Sequence, residues 1–242
     1  METRPRRSGP PSPYDVAVAF LLTSDRIDYL AAWVHQRAIA ARRAAGAIPD
    51  VVWLLEHPPV YTFGRHGRRE DLFVDDDTLA GLGATCVHTD RGGQMTWHGP
   101  GQTTGYVIAD VRAHGGVRRF VLALVAAMAD ASGVADAAPG PDATGLYVHG
   151  RKLGSVGIRV NGGIATHGLA LNRDPDLAWF ARMSACGAPD VPATSIAGEG
   201  GDPDRRRVED ALGVALAAHL DLERLAPIDL DRLVGPVPAS PE

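Results

Sequence analysis

Thr144-Gly-Leu-Tyr-Val-His-Gly-Arg-Lys-Leu-Gly-Ser-Val-Gly-Ile-Arg-Val160 is the stretch on which the architecture turns. Two β-branched or apolar runs flank His149-Gly150, the spacing of a hairpin closed by a tight turn. After the turn signal Asn161-Gly162-Gly163, Ile164-Ala-Thr-His-Gly-Leu-Ala-Leu171 supplies a third run, so the sheet continues as a meander. Gly154, Gly157 and Gly168 interrupt strands that would pair better without them. An isolated strand glycine marks a bulge or the close approach of another group to the backbone, so the pattern predicts a sheet with something lying against it.

Lys152 sits just inside the second strand of that hairpin. It is the single lysine among 24 lysines and arginines. An arginine stays protonated at any ordinary pH, whereas an ammonium shifts its pKa readily and can pass a proton, so the exception points to chemistry.

Working outward, the pattern predicts a strand from Val16 to Leu22 and a helix from about Asp25 to Ala45. Ser24 would cap that helix, with Ile27, Leu30, Ala31, Val34, Ala38 and Ile39 facing inward and His35 facing solvent. Strands follow at Val51 to Glu56 and Tyr61 to Phe63, a short helix at Asp75 to Ala80, strands at Ala84 to His88 and Thr103 to Val111, and a helix at Val117 to Ser132. Beyond the meander come a brief helix around Leu177 to Met183 and an amphipathic one at Val208 to Leu220, with Val208, Ala211, Leu212, Ala215 and Leu216 inward. Strands and helices ordered in this way indicate an α+β fold built on a mixed, largely antiparallel sheet.

With 242 residues and 45% apolar content, the chain is long enough for one sizeable core and shows no internal division. We expect a disordered proline-rich tail over 1–13, a single catalytic domain over 14–225 and a C-terminal extension over 226–242. A net charge of −5 argues against a nucleic-acid binder, no stretch approaches a membrane span, and two distant cysteines make no disulfide framework. A cytoplasmic protein with free thiols is expected. Three small basic clusters, Arg65/Arg68/Arg69, Arg118/Arg119 and Arg205/Arg206/Arg207, are candidate contacts for an acidic partner.

Two further segments are too specialised for scaffold. In Thr89-Asp-Arg-Gly-Gly-Gln-Met-Thr-Trp-His-Gly-Pro-Gly-Gln-Thr-Thr-Gly105, glycine pairs flank polar side chains, and backbone without a Cβ can approach a ligand closely. Arg91 could fix a carbonyl or anion, and His98 could move a proton or hold a neighbour. The segment lacks the Gly-Lys-Ser/Thr ending of a nucleotide phosphate loop. In Met183-Ser-Ala-Cys-Gly-Ala-Pro-Asp-Val-Pro-Ala-Thr-Ser195, Cys186 occupies a small-residue, proline-rich loop, whereas Cys86 in Ala84-Thr-Cys-Val-His88 reads as a small buried hydrophobe. Cys186 is the candidate nucleophile. An ammonium that lowers a thiol pKa of ~8.5 by ~2 units makes the thiolate predominate near neutrality.

These residues resemble a known family. Arg91-Gly-Gly-Gln-Met-Thr-Trp-His-Gly-Pro-Gly-Gln102, Gly150-Arg-Lys-Leu-Gly-Ser-Val-Gly-Ile-Arg159, His167-Gly-Leu-Ala-Leu-Asn172 and Ala185-Cys-Gly187 closely resemble the lipoyl(octanoyl) transferases, also called lipoate-protein ligase B. Leu54-Leu-Glu-His-Pro-Pro-Val-Tyr-Thr-Phe-Gly-Arg65 resembles that family's early signature, and the likeness runs over about 14–222. The resemblance implies a catalytic domain similar to those of biotin protein ligases and lipoate ligases. It also implies octanoyl transfer from octanoyl-acyl carrier protein to a lysine of lipoyl domains, in 2-oxoacid dehydrogenase E2 subunits or the glycine cleavage H protein. Carried over, Cys186 forms the acyl thioester and Lys152 lowers its pKa. Arg91, Gly92, Gly93, Gln94, Met95, Thr96, Trp97 and His98, with Ser155, Val156, Gly157, Gly168, Leu169 and Ala170, line the acyl site, and His167 supports it. No metal, ATP or other cofactor is expected, nor any nucleic acid or membrane.

Two other readings remain open on the residues alone. An ATP-dependent lipoate ligase on the same scaffold would replace the thioester with an acyl-adenylate. A metal-binding module could use Cys186, His98 and His167, although no closely paired Cys or His spacing supports it.

Overall fold

A computed structural model describes residues 18–141, 143–184 and 191–234. The elements in chain order are β1 (Val18–Arg26), α1 (Tyr29–Ala44), β2 (Asp50–Glu56), β3 (Val60–Phe63), α2 (Asp76–Gly81), β4 (Thr85–His88), β5 (Met95–His98), β6 (Gln102–Ile108) and α3 (Val117–Ser132). They continue with β7 (Ala138–Pro139), β8 (Gly145–Val148), β9 (Arg151–Asn161), β10 (Ile164–Asn172), α4 (Arg205–His219), β11 (Arg224–Pro227) and α5 (Leu230–Val234).

The large sheet has the order β11-β1-β2-β6-β10-β9-β8-β7. The β11–β1 and β1–β2 pairs are parallel and the remaining pairs antiparallel, which matches the mixed, largely antiparallel α+β architecture expected. The hairpin turns at His149 and Gly150, both with positive φ, and β9 and β10 pair from Ile164↔Asn161 to Leu171↔Gly154. β2 shows why a two-sided sheet forms here. Val52 and Leu54 enter a core with Phe120 and Leu124 of α3 and Leu212 and Leu216 of α4, while Val51, Trp53 and Leu55 enter another with Ala32 and Ile39 of α1. Helices therefore cover both faces, and a strand buried on both sides reads as a continuous apolar run.

A second sheet, β4-β3-β5, packs its own core of Tyr61, Phe63, Met95 and Trp97 against Trp179 and Phe180. The sequence reading placed β5 inside a loop because the flanking glycines hide a four-residue strand.

Several local expectations are corrected. α1 is capped by Asp28, whose side chain accepts from the Ala31 amide, and Ser24 instead accepts the indole N–H of Trp53 at 3.0 Å. The inward face of α1 is Tyr29, Ala32, Gln36 and Ile39, leaving Leu30 and Val34 about half exposed at 51% and 54%. The apolar stripe located Ile39 but missed Tyr29 and Gln36, two polar side chains buried on the same face. His35 is half-buried, edge-on to the Trp53 ring. Cys86 is exposed, because β4 is the outer strand of the small sheet and buries only Val87.

Residues 226–234, expected as an extension, are packed into the domain: Pro227 pairs with Leu21 of β1, Leu233 is fully buried, and Arg42 of α1 donates to the carbonyls of Arg232 and Leu233. The tail over 1–13 lies outside the described residues. Among the described residues, no helix is long and apolar enough to cross a membrane.

Candidate active site

A cleft of about 500 Å³ opens where β6, β9 and β10 of the large sheet face the segment Arg91–Gln102, with Tyr29 of α1 also at its wall. That volume lies in the usual range of small-molecule sites. Leu169 and Leu171 of β10 enter the α3/α4 core, so the alternate residues Gly168 and Ala170 face the cleft, paired with Gly157 and Ser155 of β9. The floor is consequently made of small residues. Gly157 allows a close approach: a Cβ there would lie 3.3 Å from the Gly92 carbonyl, a tight contact, and the Gly92 amide donates to the Ile158 carbonyl at 2.9 Å. Of the glycines in Arg91–Gly101, Gly92 serves this docking of loop on sheet, a Cβ there standing 3.1 Å from the Ile158 carbonyl. Gly101, with φ 82°, has the Asp174 carbonyl 2.4 Å from where a Cβ would stand.

Lys152 lies in the cleft wall. Its amide donates to the Pro192 carbonyl at 2.8 Å and its carbonyl accepts from the Thr194 amide at 2.9 Å, so the chain after residue 190 is laid beside β9. The ammonium is 5.3 Å from the centroid of the Tyr147 ring. Glu199 ties the two strands together, accepting from Arg151 Nε and Nη2 at 2.9 and 2.8 Å and from Thr194 Oγ1 at 2.5 Å. Met183 and Val191–Ala193 line the cleft on either side of residues 185–190. Cys186 falls in that interval and lies outside the described residues.

Two neutral histidines, His98 and His167, stand in the cleft wall, and a third, His57, lies behind them against His98 and Tyr106. His57 Nδ1–H donates to the Ile27 carbonyl at 2.6 Å and its Nε2 accepts from the Tyr106 hydroxyl at 2.7 Å; burial pulls its pKa down to about 4. Burial also drives His98 well below the ordinary imidazole value, and lowers His167 despite its contact with Asp90. His167 holds a left-handed backbone, φ 61°, which is strained for a residue with a Cβ and places the ring beside Trp33 and Tyr106. Its Nε2–H donates to Asp90 Oδ1 at 2.8 Å and its amide donates to Gln36 Oε1 at 2.9 Å. Tyr29 is held in its phenol form, its pKa pushed to about 12 by burial.

Of the residues selected from sequence, Lys152, Arg91, Gly92, Gly93, Gln94, Met95, Thr96, His98, Ser155, Val156, Gly157, His167, Gly168, Leu169 and Ala170 all border this one cleft. Trp97 does not. It is fully buried in the small sheet's core, stacked on Trp179 at 5.6 Å and edge-on to Phe180, because strand alternation turns it away while Thr96 and His98 face the cleft. Arg91 borders the cleft, yet its guanidinium holds the protein's own chain. Nη2 donates to the Thr62 carbonyl at 2.6 Å and Nη1 to the Gly92 carbonyl at 3.0 Å. Sequence reasoning missed Tyr29, Thr104, Tyr106, Gln102 and Asn172, of which the last two stand at the ends of quoted motifs. In the basic clusters, Arg69, Arg119, Arg205 and Arg207 pair with Asp76, Asp221, Glu209 and Asp202 of the same chain. Among the described residues, no group of three or more His, Cys, Asp or Glu side chains is arranged to hold a metal ion.

The family model of the lipoyl protein ligase A/B catalytic domain matches residues 28–217. An octanoyltransferase of Thiobacillus denitrificans is 42% identical over 194 residues, covering 79% of this chain and 86% of that protein. Another, of Alkalilimnicola ehrlichii, is 41% identical over 210 residues, covering 85% and 93%. The chain belongs to the octanoyltransferase family. It is an enzyme of the acyltransferase class. As an octanoyltransferase-family member it shares its fold with solved lipoate ligases. The lipoate protein ligase of Thermoplasma acidophilum superposes with a TM-score of 0.66 at 16% identity, covering 89% of this chain and 90% of that one. A lipoate-protein ligase A bound with ATP gives 0.66 at 15% identity, covering 90% and 92%. At such identities the likeness concerns the fold.

Proposed function

We propose that this chain transfers an octanoyl, or lipoyl, group from acyl carrier protein to one lysine of a lipoyl domain through a thioester on Cys186, in the cytoplasm. The lipoyl domains are those of 2-oxoacid dehydrogenase E2 subunits and the glycine cleavage H protein. One observation carries the reading: a cleft with a glycine-thinned floor has the chain's single lysine in its wall, both flanks of the interval that contains Cys186 line the same cleft, and the downstream flank is hydrogen-bonded to the lysine's backbone.

In the first half-reaction the Cys186 thiolate, stabilised by the Lys152 ammonium, attacks the carrier's thioester carbonyl. The bond to the carrier sulfur breaks, and that sulfur leaves as a thiolate that takes its proton from Lys152, which is left as the neutral amine. In the second half, the neutral amine of the acceptor lysine attacks the enzyme thioester, Lys152 takes the amine's proton, and Cys186 leaves as thiolate while the amide forms. Exchange of thioesters is nearly isoenergetic and the amide lies lower, so neither ATP nor a metal enters the cycle. Burying the six interior methylenes of octanoyl at ~0.8 kcal/mol each supplies roughly 5 kcal/mol for the slot to select chain length.

The test is transfer from octanoyl-carrier protein to an isolated lipoyl domain, followed by intact mass, with and without ATP and free octanoate. Octanoylation from the carrier without ATP supports the proposal; product only from free octanoate plus ATP would replace it with an adenylating ligase.

A further inference from the structure

A chain of amide side chains links His98 to the segment beside Lys152, and each amide nitrogen reaches a backbone carbonyl. Asn172 Nδ2 reaches the Thr194 carbonyl at 2.9 Å, and Gln102 Nε2 reaches the Trp97 carbonyl at 3.2 Å. A carbonyl only accepts, so each of these contacts identifies the amide nitrogen and fixes the orientation of its side chain. Gln102 Nε2 also donates to Asn172 Oδ1 at 3.0 Å, in agreement with both orientations. Gln102 therefore presents Oε1 to His98 Nδ1, 2.8 Å away, and the imidazole must carry its proton on Nδ1. Its Nε2 is left as a bare lone pair on a residue that borders the cleft. The ring is held in place by Tyr29, stacked at 5.8 Å and 17°, and by the edge of His57 at 5.9 Å.

We infer that His98 Nε2 is a fixed hydrogen-bond acceptor for the amine of the incoming acceptor lysine, and that Gln102, backed by Asn172, is the positioning residue that keeps it so. The inference rests on the proposed acyl transfer and extends it to the second half-reaction. The chemistry favours the amine because the acyl chain has no N–H or O–H to offer, whereas a neutral primary amine attacking a thioester must turn its lone pair to the carbonyl and its N–H bonds elsewhere. An acceptor in the wall holds one N–H in that pose without taking the proton, the role that Lys152 fills. Burial of the ring keeps it neutral, as an acceptor requires.

The tautomer is read first, by long-range ¹H–¹⁵N NMR of the wild-type imidazoles, with the His98 signals assigned by their loss in His98→Gln. An Nδ1–H tautomer for His98 is expected; an Nε2–H tautomer or an imidazolium at neutral pH overturns the inference whatever the activity. The half-reactions are then timed separately by rapid quench in wild type and Gln102→Leu. Gln102→Leu should acylate from octanoyl-carrier protein within about twofold of wild type and transfer to the lipoyl domain about tenfold more slowly, the scale of one lost hydrogen bond. Equal slowing of both halves, slowing of acylation alone, or unchanged transfer would overturn the role. Failure of the wild-type enzyme to acylate would instead tell against the proposed function, with the tautomer still readable.

Discussion

Ala170→Leu tests whether the sheet floor measures the acyl chain. Ala170 faces the cleft between Leu169 and Leu171, pairs with Ser155, and is almost fully buried. Ser155 lies three residues along β9 from Lys152, about 10 Å at ~3.3 Å per residue, a distance comparable to an extended octanoyl chain. Leucine brings three more carbons to that point. Displacing about three substrate methylenes at ~0.8 kcal/mol each costs about 2.4 kcal/mol, or roughly fiftyfold in kcat/KM for octanoyl-carrier protein. A butanoyl donor is too short to meet the new side chain and should change less than about threefold, a difference of well under 1 kcal/mol. The assay is kcat/KM for both donors with one lipoyl-domain acceptor. Thermal unfolding run alongside will detect overpacking, which typically costs ~1–3 kcal/mol. Equal losses for the two donors, or no loss for octanoyl, would refute the claim that the chain lies along this floor.

Three further outcomes follow from the same geometry. Asp50→Asn leaves Arg43 and His114 facing a neutral amide where Asp50 now accepts at 2.5 and 2.6 Å, and should lower unfolding free energy by about 3 kcal/mol in urea titration; a change under about 1 kcal/mol would mean the pair contributes little. His57 is neutral in the fold with a pKa of about 4 against 6.5 when unfolded, so the unfolded chain gains the proton first and stability falls as pH drops through that window. Between pH 6.5 and 5 the loss from His57 should approach about 2 kcal/mol, with His98 and His167 adding in the same direction, and a flat stability profile would contradict it. Lys152→Arg keeps a charge and should still lose most transfer, because a guanidinium does not give up its proton at accessible pH; near-normal turnover would remove proton exchange from the mechanism.

The hairpin and meander were legible because their punctuation is local: His149-Gly150 and Asn161-Gly162-Gly163 mark turns that only residues tolerant of positive φ can make. The same holds for Lys152 and the small-residue floor, since a strand glycine and a unique lysine are visible without coordinates. The inner face of α1 was legible only at Ile39, because Tyr29 and Gln36 are buried while apolar Leu30 and Val34 stay outside, and apolar periodicity alone ranks them the other way. Trp97 misled for a related reason: it stands inside a polar motif, yet strand alternation sends it to Trp179. The roles of Gln102 and Asn172 depend on contacts 70 residues apart in the chain, which no local pattern encodes.

The central claim is a covalent acyl group on Cys186. Intact mass of the enzyme after mixing with octanoyl-carrier protein, in the absence of any acceptor, should show one added octanoyl group that peptide mapping places on Cys186 and that Cys186→Ala abolishes. An unmodified enzyme that still supports transfer, or an adduct that persists in Cys186→Ala, would contradict the account.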